Sequence, residues 1–177
     1  MTTIEITENI QLRAISLDAV ADIFNALNAE RKRLRTWLPF VDNTLKEEDT
    51  RQYVQNSLDE GSIQYCIYYR NEFAGLIGFN NIDATNKKLE IGYWLLSKHE
   101  GKGIITYSVR ELLMYAFCEL GMNKVQIKAA TENHKSRKVA QRLDFTLEGI
   151  ERDGELLADA RFTDLAVYGI LKKEFTI

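Results

Sequence analysis

Leu89-Glu90-Ile91-Gly92-Tyr93-Trp94-Leu95-Leu96 reads as a strand, and Glu100-Gly101-Lys102-Gly103-Ile104-Ile105-Thr106 leads from it into a long amphipathic helix. Along that helix Val109, Leu112, Leu113, Ala116, Phe117 and Leu120 recur at spacings of three and four, which is one buried face. Gly121 stands where a helix C-cap is expected. Two glycines therefore lie between the end of a strand and the first turn of a helix. Glycine lets the backbone turn tightly and lets a ligand approach the main chain. The first N–H groups of a helix lack internal partners, and the helix dipole favours an anion there. The turn thus predicts a phosphate cradle. It matches neither the P-loop, which needs Gly-x-x-x-x-Gly-Lys followed by Ser or Thr, nor the dinucleotide fingerprint, whose third glycine is missing. Gly-Lys-Gly by itself is equally compatible with a plain turn.

Working outward, the 177 residues suit one domain, 1–177, with a substantial core. Hydrophobic residues at 45% and charged residues at 28% are ordinary for a globular protein. A net charge of −3 argues against a nucleic-acid binder held by bulk charge. The apolar runs are too short for a membrane span, and Met1-Thr2-Thr3-Ile4-Glu5 lacks the basic and apolar regions of a secretory leader, so a cytoplasmic chain without membrane contact is expected. Cys66 and Cys118 both fall in apolar patterns and are expected as buried free thiols. No Cys/His spacing suggests a metal site.

Along the chain, Ile10, Leu12 and Ala14 alternate as a short strand. Ser16 is a candidate N-cap for a helix bearing Leu17, Val20, Phe24, Leu27 and Leu34, with Arg31-Lys32-Arg33 on the solvated side of its end. Trp37-Leu38-Pro39-Phe40 is either a helix stop packed on the core or a wall of a substrate pocket. Thr44 and Glu47 have capping-box spacing at the start of a helix running to about Asp59, closed by Gly61. Ile63 to Tyr69 and Phe73 to Asn80 read as strands joined by a turn at Arg70-Asn71-Glu72, and Ile82 to Lys88 as a loop. After the central helix come a strand at Lys124 to Ala130, a helix from about His134 to Leu143, a strand-like stretch at Phe145-Thr146-Leu147, a turn at Asp153-Gly154, and a last strand at Thr163 to Leu171. The order implies an α/β (α+β) fold with a mixed sheet, antiparallel in its first half and parallel around Gly101, with helices on both faces.

Asn133-His134-Lys135-Ser136-Arg137-Lys138-Val139-Ala140-Gln141-Arg142-Leu143-Asp144-Phe145 carries a second signal. Together with Ile91 to Leu95 and Glu100 to Thr106, it resembles the GNAT superfamily of N-acetyltransferases, and within it the RimJ/RimL-like branch of ribosomal-protein N-terminal acetyltransferases. Leu147-Glu148-Gly149 followed by Arg152, and Asp164 with Tyr168, match that branch too. The resemblance is dense from Leu89 to Arg152, thin before Thr44, and implies the GNAT fold with a mostly antiparallel sheet and a splayed central parallel strand pair. It implies acetyl-CoA as co-substrate, its pyrophosphate on the backbone of Gly101, Lys102, Gly103, Ile104, Ile105 and Thr106. It places the pantetheine arm against the backbone of Trp94, Leu95 and Leu96, where buried amides need strand-edge partners. Asn133 would bond the arm or cap its own helix; Ser136 would sit by the thioester sulfur or be an ordinary first-turn residue.

Three positions depart from the superfamily pattern. Glu100 stands where Gln or Arg is usual, so a carboxylate lies near a pyrophosphate and is expected to point outward. Ile105 replaces a small residue, and Asp144 replaces a glycine, a place where Asp tolerates a left-handed backbone.

Acetyl transfer to an amine needs a neutral nitrogen, a polarised thioester carbonyl and a proton for the thiolate. By resemblance, a backbone N–H on Trp94 to Leu96 polarises the carbonyl and Ser136 supplies the proton, with Tyr168 or another tyrosine as the alternative donor. Glu90 is the candidate base, acting directly or through water, or else a solvated strand carboxylate. Trp37 and Glu90 are the candidate acceptor-binding residues. An α-amine titrates near ~7.8 and a lysine near ~10.4, a difference of roughly 3.5 kcal/mol in deprotonation cost near neutral pH. A site without a strong base therefore suits the N-terminus of a protein better than a lysine. A small-molecule amine and a non-catalytic acyl-CoA-binding module remain the other readings, and a homo-oligomer stays open.

Overall fold

The structure, a computed structural model, describes residues 3–176; Met1 and Thr2, where the leader reading began, lie outside them. Hydrogen bonding runs through one eight-stranded sheet in the order β1-β2-β3-β4-β5-β6-β8-β7. The strands are β1 (Thr3–Thr7), β2 (Ile10–Ala14), β3 (Gln64–Tyr69), β4 (Glu72–Asp83), β5 (Lys88–Leu95), β6 (Lys124–Ala130), β7 (Thr146–Leu156) and β8 (Phe162–Leu171). β1–β2, β2–β3, β3–β4, β6–β8 and β7–β8 pair antiparallel, and β5–β6 pair parallel. This is the mixed, mostly antiparallel sheet expected. Among the described residues five α-helices accompany it: α1 (Val20–Ala29), α2 (Arg31–Leu34), α3 (Glu47–Asp59), α4 (Ile104–Met114) and α5 (His134–Arg142).

Contacts divide the chain into two compact units. The first runs to Gly78 and adds Tyr93–Ile104 and Leu157–Arg161. Its core gathers Val20, Ile23, Leu27, Leu34, Val41, Val54, Cys66, Leu76, Trp94 and Leu96, so α1, α2, α3, β3, β4 and the end of β5 share one apolar interior. The second takes Phe79–Gly92, Ile105–Leu156 and Phe162–Ile177. Val109, Leu112, Leu113, Ala116 and Phe117, the helical stripe read from sequence, are at most 1% exposed, while Leu120 is only half-buried. Val125 and Ile127 on β6 are buried with Ala166, Tyr168 and Ile170 on β8, the alternation that a half-buried strand requires.

Several boundaries differ from the expectation. β1 was missed because Ile4 and Ile6 alternate over only five residues. The first helix breaks at Glu30 (φ −120°, ψ 21°), which separates α1 from α2. Ser16 makes no side-chain cap bond, and a short 3-10 turn precedes α1. The box expected from Thr44 and Glu47 is built two residues later: Asp49 accepts from the backbone N–H groups of Leu45 and Lys46 at 2.8 and 2.9 Å. Those bonds hold the Asp49 carboxyl below its ordinary range, and Thr44 Oγ1 instead donates to the Phe40 carbonyl. β4 continues through Ile82 to Asp83, leaving a shorter loop. Asp153-Gly154 is no strand end but an irregularity within β7: Asp153 takes φ 50° and the register shifts between Glu151 and Glu155. Cys66 is buried as expected, but Cys118 is exposed. It lies in the π-helical turn Tyr115–Glu119 that ends the central helix, where the widened turn carries it off the apolar stripe.

Candidate active site

The glycine turn keeps the local form read from sequence. After β5, Ser97–His99 make one 3-10 turn, Glu100 is extended, and Gly101 and Gly103 take φ +75° and +73° before α4 begins at Ile104. A left-handed backbone at both positions is strained for most residues with a Cβ, so the conformation by itself favours glycine there. Lys102, exposed between them, places Nζ 4.8 Å from the Tyr69 ring centre. Asp144 likewise takes a left-handed φ of 58°.

Glu100 does not simply face solvent. Its carboxylate accepts from Arg33 Nη1 at 3.2 Å. Arg33 also donates Nη2 to the Leu95 carbonyl at 2.7 Å and Nε to Glu30 at 2.6 Å, and its Nη2 is a second donor to Glu30. Glu30 in turn accepts from the backbone N–H of Ser97 at 3.0 Å and from its hydroxyl at 2.5 Å. Burial opposes ionisation of Glu30, but the bonds from Ser97 and Arg33 outweigh it and hold its carboxyl below the ordinary value. Arg31 donates to the carbonyls of Val41 and Thr44. The basic run at the end of the first helical segment, read as solvated, is therefore corrected at two of its three positions. Carbonyls left over from neighbouring turns attract guanidinium groups, and no sequence spacing reveals which carbonyls those are.

The strand end at Trp94–Leu96 is anchored from one side. Trp94 and Leu96 are each 8% exposed within the core, and the Trp94 ring lies against Phe73 at 5.9 Å. Leu96 N–H donates to the Ala74 carbonyl at 2.8 Å, so this amide is already occupied. A Cβ on Gly75 would stand 2.1 Å from the Trp94 carbonyl oxygen, so that carbonyl also faces β4. Backbone groups alternate sides along a strand, which turns the N–H of Leu95, with its Arg33-bound carbonyl, the other way. Of the three amides expected to serve the thioester, that of Leu96 is taken by Ala74, and that of Leu95 points away from β4.

His99 lies between these parts. It is 3% exposed, and neither ring nitrogen has a hydrogen-bond partner. Its ring meets Tyr69 edge-on at 5.7 Å, and Glu72 stands 3.9 Å from Nε2. Burial, then the positive charges of Lys98 and Lys102, push the imidazole below its ordinary pKa, against a smaller opposing pull from Glu72 and Glu30.

In the second unit, the parallel register of β5 and β6 covers Lys88↔Lys124, Leu89↔Val125 and Glu90↔Gln126 and stops there, although both strands go on. Glu90, the last registered residue of β5, is half-buried and accepts from Asn81 Nδ2 at 3.2 Å. Glu155, which sequence reading passed over, is held above its ordinary value by burial and then by the charge of Glu90. Lys128 donates to Glu151 at 2.8 Å. Asn133 caps α5: its Oδ1 accepts from the backbone N–H of Ser136 at 3.2 Å. The Ser136 side chain takes no part in that bond and stands half-buried in the first turn.

Trp37, Trp94, Leu95, Leu96, Gly101, Lys102, Gly103 and Ile104 belong to the first unit; Glu90, Ile105, Thr106, Asn133 and Ser136 belong to the second. Trp37 is half-buried just beyond α2, while Phe40 is 45% exposed. Leu38 packs on the core and Val41 lies within it, so the cluster serves in part as the expected helix stop. The sequence reading missed Arg33, Glu30, Gly75 and Glu155. The only signal for the first two was their i, i+3 spacing.

Comparison with known proteins gives the site its context. The family model described as acetyltransferase (GNAT) domain matches residues 9–146. The chain is 36% identical to a putative ribosomal N-acetyltransferase, YdaF, of Bacillus subtilis (strain 168), across 99% of this chain and 98% of that one. It is 32% identical to the ribosomal-protein-serine acetyltransferase of Escherichia coli (strain K12), over 94% of each. Among solved structures, RimL, a ribosomal L7/L12 alpha-N-protein acetyltransferase in complex with coenzyme A, superposes with a TM-score of 0.91 at 29% identity, covering 96% of this chain and 97% of that one. With a glycine turn opening α4, a parallel pair that ends early and a match over most of its length, the chain belongs to the GNAT acetyltransferase family and is an N-acetyltransferase.

Proposed function

We propose that the chain transfers the acetyl group of acetyl-CoA to the α-amine of a protein N-terminus, with ribosomal proteins as the acceptor class, and that residues 1–177 act as one acetyltransferase domain. The observation that carries the co-substrate is the pair of left-handed glycines, Gly101 and Gly103, at the start of α4. The acceptor rests on the two relatives matched over nearly their whole length, one named as a putative ribosomal N-acetyltransferase and the other as a ribosomal-protein-serine acetyltransferase. A cytoplasmic site of action accords with that acceptor. Among the described residues no helix is long and apolar enough to cross a membrane.

In this reading the pyrophosphate takes the N–H groups of Gly101 to Thr106, and the pantetheine arm runs along Trp94 to Leu96. The Leu95 N–H polarises the thioester carbonyl, an oriented dipole aimed where negative charge develops. The neutral amine nitrogen attacks that carbon and the C–S bond breaks. Ser136 relays a proton to the departing thiolate, taking one from solvent water as it gives its own, and Asn133 sets the turn from which it acts. The nitrogen's surplus proton passes to Glu90, directly or through water. Trp37 lines the acceptor side.

If Glu90 only holds a water, the rate follows the neutral fraction of the amine, rising with pH and levelling near ~7.8 for an α-amine. The test is a panel of N-terminal peptides, free amino acids, spermidine and N-blocked lysine peptides assayed for acetylation from pH 6 to pH 9. The expected result is the highest kcat/KM for a free N-terminus. Preference for spermidine or a free amino acid would transfer the activity to small amines, and acetyl-CoA binding without turnover of any amine would leave a binding module.

A further inference from the structure

The Arg33 guanidinium bridges the two ends of the segment that joins β5 to the glycine turn: it binds the Leu95 carbonyl at 2.7 Å, where β5 ends, and the Glu100 carboxylate at 3.2 Å, where the turn begins. We infer that Arg33 is a positioning residue for the cofactor, holding the Glu100 carboxylate away from the anion site while tying down the strand end beside it. The inference rests on the acetyl-CoA reading of the glycine turn.

A carboxylate one residue ahead of Gly101 is a liability in a turn that must accept a pyrophosphate, since like charges repel there through a partly shielded medium. The structure meets this with a cation drawn from outside the segment. Arg33 is itself oriented by Glu30, through Nε at 2.6 Å. Glu30 also holds Ser97, midway along the same segment, through both the backbone N–H and the hydroxyl. One i, i+3 pair at the junction of α1 and α2 thus grips Leu95, Ser97 and Glu100. A guanidinium can do this because its five donors spread in a planar fork over three nitrogens; a lysine ammonium carries its three donors on one nitrogen and covers a narrower span. Arg33 and Glu100 are about 39% and 29% exposed in their side chains, so the ionic part is open to salt.

The arrangement makes a prediction that a merely structural strut does not. Freed from Arg33, Glu100 would oppose the pyrophosphate; removing its charge should then restore binding. Acetyl-CoA affinity would be measured by calorimetry on wild type, Arg33→Ala, Glu100→Gln, the double variant and Arg33→Lys, with KM for acetyl-CoA and for the acceptor determined alongside. Arg33→Ala should weaken acetyl-CoA about five- to tenfold at low salt, and less at high salt, leaving acceptor KM unchanged. Glu100→Gln alone should bind nearly as wild type, and adding it to Arg33→Ala should recover most of the loss. Arg33→Lys, which folds under a milder change, should fall between wild type and Arg33→Ala. Arg35→Ala, which breaks an ion pair with Asp42 at 2.6 Å beyond the same helix, should leave cofactor affinity unaltered. Unchanged affinity in Arg33→Ala and Arg33→Lys, or a loss that Glu100→Gln does not relieve, would overturn the inference. A wild-type chain that binds no acetyl-CoA would instead overturn the reading beneath it.

Discussion

Arg137 Nε donates to the Tyr168 hydroxyl at 3.1 Å, while Arg137 Nη1 donates to the Thr131 carbonyl at 2.8 Å. The phenol is 2% exposed, so its oxygen is committed to a cation that joins α5 to β8. Tyr168→Phe deletes the acceptor and leaves a half-buried guanidinium donor unmatched. The expected cost is about 1–2 kcal/mol of stability, read as a lower denaturation midpoint with unchanged slope, and kcat should stay within about twofold. A hundredfold loss of kcat at unchanged stability would move the proton-donor role from Ser136 to Tyr168.

Ser136→Ala isolates the hydroxyl, because the Asn133 cap uses the backbone N–H of Ser136 and survives the change. With proton donation lost, kcat should fall by roughly ten- to a thousandfold, with little effect on acetyl-CoA affinity. Asn133→Ala is the complementary control: loss of the cap should cost about 1 kcal/mol of stability. A Ser136→Ala enzyme with wild-type kcat would return Ser136 to an ordinary first-turn position.

Gly103→Val forces a β-branched residue into φ +73°, and should abolish measurable acetyl-CoA binding or reduce it strongly; Lys102→Ala, which leaves the backbone alone, should weaken it only modestly. Gly75→Ala attacks the same segment from beneath. Its Cβ would meet the Trp94 carbonyl at 2.1 Å, so β4 and the end of β5 must shift. Overpacking of this kind costs about 1–3 kcal/mol. Calorimetry and denaturant titration on the three variants check these expectations; an undiminished affinity in Gly103→Val would remove the glycine turn from the cofactor site.

His99 should make stability sensitive to acid. Its folded-state pKa is depressed, so above the ordinary value of about 6.5 both states carry a neutral ring and nothing is lost. As pH falls below that value the unfolded chain takes up the proton first, and stability drops until pH reaches the folded pKa. Denaturant midpoints of wild type and His99→Phe between pH 8 and pH 5 test this. The variant should lose less stability on acidification than wild type, and parallel profiles would refute it.

Much of the architecture was legible because one face of each long element is buried. The stripe from Val109 to Phe117 specified α4, and alternation over Val125, Ile127 and Ala129 specified β6. Glycines at 61, 101, 103 and 121 marked element ends, and all four take positive φ. Legibility failed where local signals competed. Thr44 and Asp49 both offered an oxygen to the start of α3; Asp49 took two backbone donors there, and the Thr44 hydroxyl donates to the Phe40 carbonyl instead. β4 outran its apolar pattern because a polar strand end can pair as well as an apolar one.

The sequence by itself determined the family, the glycine turn at the mouth of α4 and the cap at Asn133, because each depends on residues within a few positions of one another. Tertiary structure alone decided which groups reach the turn from afar. Arg33 finds Leu95 and Glu100 more than sixty positions away, and Ala74 takes the N–H of Leu96, leaving Leu95 facing the other way. His99 is buried at 3% exposure by the packing around it. A side chain's partner across the fold is set by where the backbone carries both ends, and no local pattern records that distance.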